Sequence, residues 1–112
     1  MKIYHNPRCR KSRETLQILT DHKIEPEIIE YLKDVPGKSE IEHILSLLGI
    51  KAEELVRKSE VIYKENYKGK KLTEAQWIEA MSKHPKLIER PIVIKGKKAV
   101  LGRPPENVLG LI

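Results

Sequence analysis

Residues 5–16 read HNPRCRKSRETL, and this stretch sets Cys9 among four basic side chains, Arg8, Arg10, Lys11 and Arg13, directly behind a short apolar run. Met1 to His5 has the pattern of a strand. Asn6-Pro7 ends it, because proline turns the chain and cannot continue a ladder. From Lys11 to about His22 the positions Thr15, Leu16, Ile18 and Leu19 share one helical face, while Arg13, Glu14, Gln17 and Asp21 can face water. Glu27 to Tyr31 follows Pro26 as a second strand, and the adjacent Ile28 and Ile29 predict burial on both faces. Strand, helix and strand in this order open a βαβ unit.

Working outward, Pro36-Gly37 breaks the chain, and Ser39 with Glu42 three residues later has the form of a capping box. The helix it opens carries Ile41, Ile44, Leu45 and Leu48 inward and ends at Gly49. A short helix is expected from Ala52 to about Lys58, and Tyr63 to Lys71 is polar with little periodic signal. Thr73 caps a further helix in which Trp77, Ile78 and Met81 can pack, and His84-Pro85 stops it. PIVIKGKKAVLG, residues 91–102, reads as two strands joined by Lys95-Gly96-Lys97, and Pro104-Pro105 precedes a terminal helix from Glu106. This order predicts an α/β, thioredoxin-like fold: a mixed sheet of about four strands with flanking helices and a helical insertion, in one domain over residues 1–112.

The chain has 112 residues, 39% hydrophobic and 34% charged, an ordinary globular balance. Its longest apolar run, Ile44 to Ile50, is far below the about 20 residues of a membrane span. No membrane association is expected, and no secretion signal is recognisable at the N-terminus. Twenty-two Lys and Arg against sixteen Asp and Glu leave a formal charge of +6, which favours anionic ligands. The lysines stand singly or in pairs and aromatics are only 4%, so a nucleic-acid footprint is not expected. No pattern marks a dimer surface, and the expectation is a monomer.

A single cysteine cannot close an internal disulfide, and a free thiol suits a reducing, cytoplasmic setting. At the start of a helix, free backbone N–H groups and the positive dipole end favour its thiolate, and the neighbouring basic residues act in the same sense. A thiolate is the attacking form of a cysteine. The alternative is a buried structural cysteine, against which the polar, basic setting argues. Ser12 stands where a C-x-x-C motif carries its second sulfur, so any redox cycle takes a thiol from outside the chain. N–H donors around a thiolate also form an oxyanion pocket, for which arginines are the matching clamps. Arg57 in LVRKSE, Arg90 before the strand PIVI and Arg103 in LGRPPE are the candidates, each of which could instead be a surface arginine.

The strings YHNPRCRKSRETL, LVRK, HPKLIERPIVI and LGRPPENVL together resemble the glutaredoxin-linked arsenate reductase family, in its short, single-domain bacterial form, over nearly the whole chain. The resemblance implies a thioredoxin-like fold and a glutathione- and glutaredoxin-dependent reduction of arsenate to arsenite. It implies Cys9 as the nucleophile and Arg57, Arg90 and Arg103 as the oxyanion clamp. It further implies that His5, Asn6, Ser12 and Arg13 support the cysteine loop and that Pro91 is a cis proline. From the residues alone His5 could equally be a core or surface histidine. Glutathione is implied as co-substrate, with no bound cofactor and no metal site. Two other readings remain open: an Spx-type regulator or other partner-binding module, and a glutathione-dependent thiol-disulfide oxidoreductase.

Overall fold

The computed structural model describes residues 1–112. Two compact units make up the chain, one from Met1–Asp34 with Arg90–Ile112 and one from Val35–Glu89.

The first unit holds a four-stranded sheet in the order β2-β1-β3-β4, with β1 Lys2–Tyr4, β2 Glu27–Ile29, β3 Ile92–Lys95 and β4 Lys98–Leu101. β1 is parallel to β2 and antiparallel to β3, in the register Ile3 opposite Ile28 and Val93. The helix α1, Arg10–Asp21, connects β1 to β2. β3 and β4 form the expected hairpin, whose turn holds Gly96 at φ +60°, a left-handed conformation that glycine adopts at little cost. Ile3, Leu19, Val93, Val108 and Leu111 are the core, with Leu16, Ile18 and Val100 packed against it. Each such side chain contributes about 1.5–3 kcal/mol through burial.

Burial of β2 on both faces, expected from its continuous isoleucines, is not what the structure shows. β2 is an edge strand and Ile28 remains 50% exposed. The terminal segment Pro105–Leu111 winds as a 3₁₀ helix. With three residues per turn, Pro105, Val108 and Leu111 align on one face, and all three are buried. That segment packs on α1 and β4.

The second unit comprises α2 Lys38–Leu48, α3 Ala52–Leu55, α4 Val61–Asn66, α5 Glu74–Lys83 and a 3₁₀ turn Pro85–Leu87. Thr73 does cap α5, in a reciprocal capping box with Gln76. The box expected at Ser39 and Glu42 does not form. Its helix starts two residues earlier than that box requires, with Gly37 rather than Ser39 at the N-cap and no side-chain cap. α3 ends at Leu55 because Val56 turns extended and bridges to Ile88. α4 begins at Val61 and runs into the Tyr63–Lys71 segment read as polar and signal-poor. Its ordering rests on a tertiary contact: Tyr63 and Tyr67 close on Trp77 of α5, at ring-centroid distances of 6.4 and 5.8 Å.

One close approach in the first unit ties α1 to the hairpin. A Cβ on Gly102 would meet Thr15 Oγ1 at 2.5 Å and Pro91 Cγ at 2.8 Å. Neither neighbour can yield freely, since the Gly102 N–H donates to the Pro91 carbonyl at 2.9 Å and the Thr15 hydroxyl donates to the Lys11 carbonyl at 2.8 Å. Gly102→Ala is therefore expected to destabilise the protein by about 1–3 kcal/mol, the usual cost of overpacking. Chemical denaturation of the two proteins checks this, with a midpoint equal to that of the native chain as the contrary result.

Candidate active site

Cys9 is the N-cap residue of α1, extended at φ −93° and ψ 121°, and its thiol is free and half-buried. Its own N–H donates to the Asn6 carbonyl at 2.9 Å. This closes the loop between β1 and α1 into a tight turn. The Asn6 side chain continues the restraint, its Oδ1 accepting the Arg8 N–H at 3.0 Å. Arg13 reaches back over the loop and donates from Nη1 to the Pro7 carbonyl at 3.0 Å.

Beneath the loop, Ser12 is fully buried. Its Oγ accepts the Asn6 N–H at 3.1 Å and lies 2.6 Å from His5 Nδ1. A serine at this position is thus a structural tie between β1 and the first turn of α1. His5 is buried as well, and burial pushes its pKa down, with Glu30 acting upward and Arg13 downward. The ring is accordingly neutral at neutral pH.

The Cys9 thiol experiences opposing effects. Burial pushes its pKa up, but the Ser12 backbone N–H, the Arg90 guanidinium donating to the sulfur, the Arg90 charge and the Lys11 backbone N–H outweigh it, and the pKa is lowered. The dominant cation is therefore Arg90, 81 positions along the chain, rather than the basic neighbours in sequence. Arg8, Arg10, Lys11 and Arg13 have exposed side chains, and Arg10 is occupied with Glu14 at 2.9 Å.

Arg90 itself is buried at the entrance to β3, and its peptide bond to the buried Pro91 is cis. Arg103 donates from Nη1 to the Arg90 carbonyl at 3.0 Å, so the two arginines form one connected group. Asn107 fixes the Arg103 backbone by donating from Nδ2 to its carbonyl at 3.2 Å and to Leu101 O at 3.1 Å. The Arg103–Pro104 bond is a second cis peptide, at a position the sequence reading did not single out. Asn107 was missed too, because an asparagine in a terminal turn carries no spacing signal.

The first unit thus brings together His5, Asn6, Cys9, Ser12, Arg13, Arg90, Pro91 and Arg103. Arg57 belongs to the helical unit. There its N–H donates to Leu87 O, and its guanidinium stands between two carboxylates, Nε at 3.7 Å from Glu60 and Nη1 at 3.9 Å from Glu89. Glu60 and Glu89 are residues that sequence reasoning did not name. No group of three or more His, Cys, Asp or Glu side chains is placed to hold a metal ion, and no helix is long and apolar enough to cross a membrane.

Comparison with known proteins places these residues in a family context. The profile of the ArsC family matches residues 4–111. The uncharacterized protein YfgD of Escherichia coli strain K12 is 47% identical over 114 residues, covering 100% of this chain and 96% of its own length. An arsenate reductase of Haemophilus influenzae is 45% identical over 112 residues, covering 98% and 97%. The solved structure of an arsenate reductase from Vibrio cholerae superimposes with a TM-score of 0.94 at 43% identity, covering 99% of this chain and 96% of that one.

The lowered thiol pKa has a defined pH signature. A thiolate favoured in the folded state contributes stability that is fully present above the unfolded thiol pKa of about 8.5 and is lost as pH falls through the folded-state value. The rate of iodoacetamide alkylation of Cys9 should therefore rise with a midpoint below that of free glutathione, and Arg90→Ala should move the midpoint upward. An unchanged midpoint in the variant would remove Arg90 from the account of thiolate stabilisation.

Proposed function

The chain belongs to the ArsC family, and from that membership we propose that it reduces arsenate to arsenite, with Cys9 as nucleophile and glutathione and glutaredoxin as electron donors. The observation that supports this most is the Arg90 guanidinium on the Cys9 sulfur, at a helix start that supplies two further N–H donors. A thiolate and an oxyanion repel each other. Cations at the sulfur offset that repulsion where charge builds up during attack.

In the proposed sequence the Cys9 thiolate attacks arsenic, and one arsenate oxygen leaves as water after protonation, giving a cysteine-bound arsenic(V) adduct. The thiolate of glutathione attacks the Cys9 sulfur, and the S–As bond breaks with its electron pair going to arsenic. Arsenite is released and a Cys9–glutathione disulfide remains. Glutaredoxin then attacks the glutathione sulfur and returns Cys9 to the thiolate. Ser12 cannot resolve the disulfide internally, which makes the external thiol obligatory in this scheme. Reduced Cys9 is the resting state it needs, which fits operation in the cytoplasm.

Arg90 and Arg103 act on the oxyanion and its adduct as planar, permanently charged donors. Arg57 completes the family set of three. Its charge is already shared with Glu60 and Glu89, so it has less to give an incoming anion.

The test is NADPH-coupled arsenate reduction with glutathione, glutaredoxin and glutathione reductase. Cys9→Ser should abolish turnover, and Arg90→Ala should lower kcat/KM by about 10²–10³-fold, as loss of a cation or donor at developing charge does elsewhere. Arg57→Ala should lose less than Arg90→Ala. No arsenate turnover by the native protein, with rapid disulfide exchange instead, would replace this reading with that of a thiol-disulfide oxidoreductase.

A further inference from the structure

Past Ile92 and Leu101, the last pair of the β3–β4 ladder, the two segments of chain stay joined for two more residues on each side. The Gly102 N–H donates to the Pro91 carbonyl at 2.9 Å, and Arg103 Nη1 donates to the Arg90 carbonyl at 3.0 Å. Counted outward from the ladder, Arg103 is thus the partner of Arg90. The second bond comes from a side chain, so it lasts only while the Arg103 side chain is held within reach.

Asn107 supplies that hold. Its Nδ2 donates to the Leu101 carbonyl at 3.1 Å and to the Arg103 carbonyl at 3.2 Å, on either side of Gly102. Its own N–H donates to the Pro104 carbonyl at 3.0 Å. The next residue, Val108, is fully buried in the core with Ile3, Leu19 and Val93. A continuous series therefore leads from the core through Asn107, Arg103 and Arg90 to Cys9.

We propose that Asn107 and Arg103 act in series as positioning residues that hold the Arg90 guanidinium on the Cys9 sulfur. The inference concerns the thiolate itself, so it goes beyond the arsenate reading and does not rest on it.

Burial is the first argument. Arg90 is only 8% exposed. A carbonyl in such a place that loses a donor is costly, and the segment relaxes to find another partner. Directionality is the second. The contact between Arg90 and the sulfur is a hydrogen bond, which weakens steeply once its distance and angle leave the usual range. A small drift of the Arg90 backbone is therefore felt at the thiol. In this arrangement Arg103 influences Cys9 through Arg90, whereas a direct charge effect of Arg103 would act whether Arg90 were present or not. Paired substitutions separate the two cases.

The test is the pH dependence of iodoacetamide alkylation of Cys9 in the full chain, with no arsenate present, so that its outcome is separate from that of the reductase assay. Arg103→Ala should move the midpoint upward and cut the thiolate fraction at pH 7 by about two- to tenfold, the range that one hydrogen bond commands. Asn107→Ala should shift it in the same direction by less. In an Arg90→Ala background neither substitution should move the midpoint further. An unchanged midpoint in either single variant, or a shift that persists undiminished in the Arg90→Ala background, would overturn the series. Should Arg103→Ala fail to fold, Asn107→Ala carries the same test at an exposed residue.

Discussion

Half-burying the Cys9 sulfur opposes its ionisation, and the local structure of this protein reverses that sign at one atom. Two backbone N–H groups of α1 and the Arg90 guanidinium act together against desolvation of Cys9, and together they prevail. The remaining features of the first unit follow from keeping those donors in place. Ser12 must be buried to hold its N–H toward the sulfur while its hydroxyl ties the loop to β1 and His5. Arg90 must enter β3 at the point where the sheet brings it beside the loop.

The packing around Gly102 shows how little freedom is left. Thr15 on α1, Pro91 at the start of β3 and Gly102 after β4 meet without space for a methyl group. Helix α1 and the arginine segment are thereby locked to one another through a small-residue contact rather than through an ion pair. Arg103 is then held by the Arg90 carbonyl and by Asn107, so the two arginines of this unit are tied to one another and to the terminal turn.

The helical unit obeys a different rule. Its third candidate arginine, Arg57, is fixed through backbone bonding to Leu87 and flanked by Glu60 and Glu89. α4 in the same unit is too short to be stable alone and exists because Tyr63 and Tyr67 find Trp77. In both cases a residue's role comes from partners distant in sequence.

What the sequence determined by itself was whatever depends on neighbours a few positions apart. The strand-turn-helix of residues 1–22, the Thr73 capping box, the Gly49 helix end and the Gly96 hairpin are all local patterns, and the cysteine's place at a helix start was legible from Asn6-Pro7 and the periodicity after it. Tertiary structure decided which cation acts on that cysteine. The four basic side chains near it in sequence are solvent-exposed, while Arg90 reaches the sulfur, because charge acts through distance and burial and not through order along the chain. It decided likewise that β2 is an edge strand with Ile28 exposed, since apolar character permits burial but only the neighbouring strands supply it. The 3₁₀ winding of Pro105–Leu111 came from the same source: a buried stripe at spacing three, set by the surface of α1 and β4 on which it packs.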